Sequence, residues 1–281
     1  MHYPLIEHGG RGPVIHWAPA TGFPAETYRP IYEAFADRYR LVTIPPRALW
    51  PGIGAPPDAP GSWEEYAVDV DAGLTEHGVT NAILVGHSFG GVASMVAAVR
   101  NPGRYRALVM LDPTLLPEPV LVQFRAAKAT GWQRPMPHPL ARRARERRNE
   151  FATREEAFAA WRGRKLFADW SDAALWRYVE SGLRPAGAGF ELRWSPAWEA
   201  HDYESIYTEG WSEVARIPAG LPVLVINGGT SDTFGAESVA RFKALAPGAV
   251  METVAGFGHL FPQAAPGETA ERIGDWLAGL R

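Results

Sequence analysis

The chain has 281 residues, of which 46% are hydrophobic and 21% are charged, so it carries enough apolar material for one large core. It contains no cysteine, which excludes disulfides, a thiolate nucleophile and cysteine-ligated metal sites. The net charge of -3 gives no electrostatic footprint for nucleic acid, so we expect no nucleic-acid partner. Because the chain has neither a signal-peptide pattern nor a run of about 18 apolar residues, we expect a cytoplasmic protein without a membrane span.

Six short apolar runs, rich in β-branched residues, predict strands that are buried on both faces of a parallel sheet. These runs are Val14–Trp17, Leu41–Ile44, Ala82–Val85, Ala107–Leu111, Val223–Asn227 and Ala249–Val254. Between them lie segments with helical patterns, one of which begins with a capping box at Ser62 and Glu65. Strands that alternate with helices predict an α/β fold.

The alternation of strands and helices stops between Thr114 and Glu213. This stretch has no convincing strand. It has helical patterns at Val120–Ala129, Glu155–Phe167 and Asp172–Ser181. We therefore predict a core formed by residues 1–113 and 214–281, interrupted by a helical insertion at residues 114–213.

The predicted insertion carries most of the tryptophans of the chain. They are Trp132, Trp161, Trp170, Trp176, Trp194, Trp198 and Trp211. These side chains either line an apolar acyl or aryl pocket or form the small core of the insertion itself, and the sequence leaves both interpretations open. The run Arg142–Arg148 is typical of a solvated helix face, and less often of a surface that attracts an acidic substrate or partner.

The strongest catalytic signal is the sequence Gly86-His87-Ser88-Phe89-Gly90-Gly91, which follows a predicted strand and begins a predicted helix. A turn this sharp leaves no room for side chains at the flanking glycine positions. It holds Ser88 in a strained conformation with its hydroxyl at the carboxyl edge of the sheet. The backbone N–H of Phe89 then points to the place where an oxyanion would form. The alternative interpretation is a serine that only caps the helix.

A serine nucleophile needs a general base, and His259 is the best placed of the eight histidines. It lies in a glycine-rich loop after the last predicted strand, where a sheet presents catalytic groups. The histidine in turn needs a carboxylate. Asp232 and Asp112 both follow strand ends, and we favour Asp232 because its strand directly precedes the one that leads to His259. Asp112 is kept as the alternative acid.

With these residues identified, the sequence resembles the α/β-hydrolase superfamily. The chain order Ser88, Asp232, His259 is similar to that superfamily's order of nucleophile, acid and histidine. The resemblance implies a mostly parallel sheet of eight strands flanked by helices, with an inserted helical cap. It also implies a serine hydrolase that needs no metal and no organic cofactor.

The resemblance extends to the loop after the first predicted strand. Gly22-Phe23-Pro24 looks like part of the superfamily's oxyanion loop, although Thr21 stands where histidine is usual. The resemblance therefore implies that the backbone N–H of Phe23 is a second oxyanion donor beside that of Phe89. A backbone donor does not depend on its side chain, so the departure at Thr21 is compatible with activity.

These observations lead us to expect a carboxylesterase-like enzyme, a monomer or homodimer, that cleaves a small apolar acyl or aryl substrate through an acyl-Ser88 intermediate. The same side chains also permit a cofactor-free perhydrolase or haloperoxidase, or a C–C bond hydrolase. An alternative of a different class is a non-catalytic ligand-binding protein with the hydrolase fold.

Overall fold

The computed structural model describes residues 2–129 and 138–280. Its strands are β1 (Ile6–Gly10), β2 (Val14–Ala18), β3 (Arg40–Thr43), β4 (Ile83–His87), β5 (Ala107–Leu111), β6 (Glu150–Phe151), β7 (Leu183–Ala186), β8 (Gly189–Leu192), β9 (Val223–Gly228) and β10 (Val250–Val254). Within the described residues, seven of these strands form one sheet in the order β1-β3-β2-β4-β5-β9-β10. Neighbouring strands in it are parallel, except for the antiparallel pair of β1 and β3.

The six predicted strands are all present, with small differences at their ends. The additional strand is β1, which the apolar pattern does not reveal because Ile6 is its one large apolar residue. An edge strand that is partly exposed does not need apolar side chains on both faces. The resemblance implied eight strands, whereas the main sheet of the described residues has seven.

Helices pack against both faces of this sheet. The helices of the described residues are α1 (Arg29–Phe35), α2 (Trp63–Glu76), α3 (Phe89–Arg100), α4 (Glu118–Ala129), α5 (Pro139–Glu146), α6 (Arg154–Arg162), α7 (Asp172–Gly182), α8 (Pro196–Glu204), α9 (Gly210–Val214), α10 (Ala236–Leu245), α11 (Phe261–Ala264) and α12 (Pro266–Gly279). The predicted capping box of Ser62 and Glu65 begins α2. Two buried apolar clusters lie on opposite faces of the sheet, since Leu84 belongs to one and its neighbour Val85 to the other.

The stretch between β5 and β9 is not purely helical. It contains α4 to α9 and a small antiparallel sheet in the order β6-β8-β7. The expectation that it has no strand is therefore wrong. These strands have two to four residues each, which is too short for an alternating pattern to stand out. Trp132, one of the seven tryptophans of this stretch, lies outside the described residues.

The arginine-rich run is only partly a solvated face. Arg145 forms an ion pair with Glu204, and Arg147 forms one with Glu199, whose carboxylate is nearly buried. Both glutamates belong to α8, which packs against α5. Two of these arginines therefore hold the insertion together, because burying a carboxylate requires a partner of opposite charge.

Two further features of residues 2–129 and 138–280 bear on function. None of their helices has the length and apolar content needed to cross a membrane. The same residues contain no group of histidine and acidic side chains arranged to hold a metal ion.

Buried neutral histidines make the stability of the fold depend on pH. Burial lowers the pKa of His16 to about 3 and that of His8 to about 4, and burial also keeps the pKa of His87 well below its usual value. Below pH ~6.5 the unfolded chain binds protons at these rings and the folded chain does not, so stability falls as the pH falls. Between pH 6 and pH 5 we expect each of these rings to lower the free energy of unfolding by about 1 kcal/mol per pH unit, which exceeds the opposite contribution of Asp202, whose pKa burial raises well above its usual value. Urea unfolding measures the net change. A free energy of unfolding that rises as the pH falls over this range would contradict the prediction.

Candidate active site

The turn between β4 and α3 has the strained geometry expected from its sequence. Ser88 has φ 59° and ψ -121°, outside the regions that residues with side chains normally adopt. A Cβ on Gly86 would lie 2.2 Å from the carbonyl oxygen of Gly90, and a Cβ on Gly90 would lie 2.3 Å from that of Ala18. Because both contacts are with backbone, no side chain fits at either position.

These contacts predict a large effect of a single methyl group. Gly90→Ala forces the backbone of α3 away from that of β2, and we expect it to lower the free energy of unfolding by about 3 kcal/mol or more. Gly163→Ala is the matched control, because a Cβ there meets no atom within 4 Å. Thermal unfolding of both variants measures the difference, and equal melting temperatures would contradict the prediction.

The hydroxyl of Ser88, the imidazole of His259 and the carboxylate of Asp112 form a continuous series of hydrogen bonds. His259 Nε2 lies 3.0 Å from Ser88 Oγ, and His259 Nδ1 lies 2.7 Å from Asp112 Oδ2. A carboxylate only accepts, so Nδ1 carries the proton and Nε2 accepts from the serine hydroxyl. In this arrangement an imidazole can remove the proton of a serine that attacks a carbonyl carbon.

The carboxylate of Asp112 is fully buried and has three donors around it. Besides the bond from His259, its Oδ1 accepts from the backbone N–H of Gly228 at 2.9 Å, and its Oδ2 accepts from the Ser231 hydroxyl at 2.6 Å. Bonds of this kind to an ionised acceptor are strong and compensate for removing the charge from water.

The expectation that Asp232 pairs with His259 is corrected by this geometry. Asp232 is exposed, and its side chain accepts a hydrogen bond from the hydroxyl of the adjacent Thr233 at 3.5 Å. The loop after β9 turns its serine, Ser231, towards Asp112 and turns the next residue towards solvent. The loop that carries Asp232 therefore contributes a hydroxyl that donates to Asp112.

Sheet order explains why Asp112 is close to the nucleophile. β5 is the direct neighbour of β4, and Leu111 lies opposite His87 in their register. The residue that follows Leu111 therefore lies beside Ser88. β9 lies one strand further from β4 than β5 does. Position in the sheet, and not proximity in sequence to the strand that leads to His259, therefore decides which aspartate lies beside Ser88.

The segment that carries Asp112 also contacts Ser88 directly. The backbone N–H of Ser88 donates to the carbonyl of Leu111 at 2.9 Å, and Thr114 N–H donates to the Ser88 carbonyl at 3.4 Å. Thr114 Oγ1 lies 2.9 Å from Ser88 Oγ. Since Ser88 donates its proton to His259, the Thr114 hydroxyl is the donor in this bond. Thr114 was not among the predicted site residues. Its position two residues after Asp112, at the same strand end, indicates that it lies near Ser88.

The two predicted oxyanion donors differ in their surroundings. Phe89 is the first residue of α3, where backbone N–H groups have no acceptor within the helix and the helix dipole favours negative charge. The N–H of Phe23 instead donates to the carbonyl of Ala20 at 3.1 Å, in a turn where Gly22 has φ +81°. An oxyanion would have to share this donor with Ala20.

Part of the stretch between β5 and β9 packs directly on the loops that carry Phe23 and Leu260. The ring of Phe23 lies 5.8 Å from that of Trp170 and 5.2 Å from that of Tyr178. Leu260, which follows His259, belongs to the same buried cluster. These aromatic side chains therefore form a small core of their own and also cover the loop that carries Phe23. Ser88, which lies beside this loop, is 8% exposed.

Comparison with known proteins agrees with this geometry. A family model described as the alpha/beta hydrolase family matches residues 5–272. The chain belongs to the alpha/beta hydrolase family. The match spans both parts of the main sheet and the insertion between them.

Individual relatives are distant but extend over nearly the whole chain. A 2-(acetamidomethylene)succinate hydrolase of Mesorhizobium japonicum is 23% identical over 275 residues, which cover 97% of this chain and 90% of that protein. The sn-1-specific diacylglycerol lipase ABHD11 of Mus musculus is 25% identical over 285 residues, covering 99% and 85%. The crystal structure of an E-2-(acetamidomethylene)succinate hydrolase has a TM-score of 0.76 at 20% identity, covering 98% of this chain and 94% of that one, which shows the common fold.

Proposed function

We propose that this protein is a serine hydrolase in which Ser88 is the nucleophile, His259 the general base and Asp112 the carboxylate that orients the base. The contacts of His259 with both Ser88 and Asp112 carry this proposal. A protein that only binds a ligand has no need of a buried carboxylate, a histidine and a strained serine in hydrogen-bond contact.

The reaction follows from the donors and acceptors of these groups. His259 Nε2 takes the proton as Ser88 Oγ bonds to the carbonyl carbon, and Asp112 stabilises the imidazolium that results. The Phe89 N–H binds the oxyanion, and the Phe23 N–H, shared with Ala20, contributes less. His259 then gives its proton to the leaving group, and a water activated by the same ring releases the acyl group from the serine.

We propose a carboxylic ester of a small acid as the first substrate class to test. Aromatic side chains such as Trp170 and Tyr178 cover the site, which suits an apolar acyl group. One distant relative is named as a lipase and another as a hydrolase of an acetamidomethylene succinate, so N-acyl compounds belong in the same test. Perhydrolysis, haloperoxidation and C–C cleavage remain alternatives that use the same three side chains.

We also propose that residues 114–213 act as a cap that selects the substrate. The packing of Trp170 and Tyr178 on Phe23 supports this, because a change in the insertion would displace the oxyanion loop. In this proposal residues 1–113 and 214–281 supply the catalytic groups.

The proposed function is tested by labelling and by turnover. A fluorophosphonate probe is expected to modify the native protein at Ser88, identified by peptide mass. A panel of p-nitrophenyl esters of graded acyl length, with 2-(acetamidomethylene)succinate as an N-acyl member, then shows which class is hydrolysed. A native protein that resists the probe and hydrolyses nothing in the panel would favour the ligand-binding alternative.

A further inference from the structure

His87 is the last residue of β4 and lies in the sharp turn between β4 and α3, the elbow, next to Ser88, but it takes no part in the proposed chemistry. Its ring is fully buried, and both of its nitrogens have a partner. Nδ1 lies 2.8 Å from the hydroxyl oxygen of Tyr28, and Nε2 lies 2.9 Å from the backbone carbonyl oxygen of His259. His87 therefore bridges the elbow and the loop that carries the general base.

The direction of each of these bonds follows from the groups involved. A carbonyl only accepts, so His87 Nε2 carries a hydrogen. Burial keeps the pKa of His87 well below its usual value, so the ring is neutral and Nδ1 is an acceptor. The hydroxyl of Tyr28 must then donate to Nδ1. The oxygen of Tyr28 in turn accepts from the backbone N–H of Ala20 at 3.1 Å.

The other end of this series of bonds lies in the oxyanion loop. The carbonyl of Ala20 accepts from the N–H of Phe23, so the backbone of Ala20 connects Tyr28 to the turn that presents Phe23. Tyr28 is also fully buried, which shields the bonds from competition by water. The series runs from Phe23 through Ala20, Tyr28 and His87 to His259, and thus joins the loops on two sides of the nucleophile.

We propose that Tyr28 and His87 are positioning residues that hold the oxyanion loop and His259 in one fixed arrangement around Ser88. This rests on the proposed serine hydrolase function. The Tyr28 hydroxyl donates to Nδ1 of His87 and accepts from the N–H of Ala20, so it joins the oxyanion loop to the ring that donates to the carbonyl of His259. Without this hydroxyl, His87 Nδ1 loses its donor and the Ala20 N–H loses its acceptor. The oxyanion loop and the backbone that carries the general base can then shift relative to each other.

The first test compares Tyr28→Phe with Tyr32→Phe. Both tyrosines are buried and contact the ring of Trp17, at 5.1 and 5.2 Å, but the hydroxyl of Tyr32 donates to the carbonyl of Ala25 instead. We expect Tyr28→Phe to lower kcat by about 10- to 100-fold with KM nearly unchanged, because small displacements of reacting groups have effects of this size. Tyr32→Phe is expected to stay within about 2-fold of the native kcat. Equal kcat values in the two variants would overturn the proposal.

The second test reads the tautomer of His87 directly. In protein labelled with ¹⁵N-histidine, we expect the Nε2–H form in the native protein and in both variants, because the carbonyl of His259 is still the acceptor. The Nδ1 resonance of His87 should shift in Tyr28→Phe, which removes its donor, and stay unchanged in Tyr32→Phe. The Nδ1–H form in the native protein would overturn the proposal, even if Tyr28→Phe did not fold. This readout needs no turnover, so it separates a failure of the positioning role from a failure of the proposed function, which would show as a native protein that resists the fluorophosphonate probe.

Discussion

Ser88→Ala is expected to lower kcat on any hydrolysed substrate by about 10³- to 10⁶-fold. The variant keeps His259 and Asp112 in place but removes the atom that forms the acyl intermediate. Residual turnover then depends on water alone, assisted by the oxyanion donors. Labelling by a fluorophosphonate probe should disappear in the same variant, while the melting temperature changes little.

Ser94→Ala is the matched control for this experiment. Ser94 lies in α3 six positions after Ser88, is fully buried, and its hydroxyl has no hydrogen-bond partner among the described residues. Removing this hydroxyl should leave kcat and labelling unchanged. Labelling that persists in Ser88→Ala would show that another residue reacts with the probe.

Asp112→Asn is expected to lower kcat by about 10⁴-fold. An amide in place of the carboxylate neither stabilises the imidazolium nor holds His259 in the tautomer with its hydrogen on Nδ1. The loss should appear in kcat with the substrates that the native protein hydrolyses.

Asp232→Asn is the control, because Asp232 is exposed and makes no contact with His259 in the structure. It should keep native kcat within about 2-fold. Melting temperatures of both variants separate a catalytic effect from unfolding, since Asp112 also binds Gly228 and Ser231. A large loss of kcat in Asp232→Asn, together with a native kcat in Asp112→Asn, would show that Asp232 is the acid, as chain order favours.

The main sheet could be predicted because buried parallel strands have a strong local signal. Runs such as Ala107–Leu111 are apolar throughout, and parallel strands covered on both faces require this. β1 and the short strands of the insertion lack such a signal, because their pairing is set by tertiary contacts. The turn around Ser88 also has a local signal, because Gly86 is required by contact with the backbone of Gly90, whereas Gly90 is required by contact with Ala18 of β2.

The acid could not be chosen from local sequence. The choice between Asp112 and Asp232 depends on the order of strands in the sheet and on which way a loop residue turns. A stronger physical signal was available, because an aspartate directly after the fully buried β5 cannot remain charged without donors around it. That argument favours Asp112, whereas chain order favours Asp232.

The position of Asp112 has a consequence for how such a chain can diversify. Ser88 and Asp112 come from the turns that follow β4 and β5, before the insertion starts at Thr114. The loop after β9 carries none of the proposed reacting groups. Insertions of different length or sequence can therefore be exchanged between β5 and β9 while the nucleophile and its acid stay on adjacent strands. Chimeras that keep Thr114 and carry a foreign insertion after it should still be labelled by the probe at Ser88, while the labelling rate and the acyl groups that they accept change with the packing on Phe23.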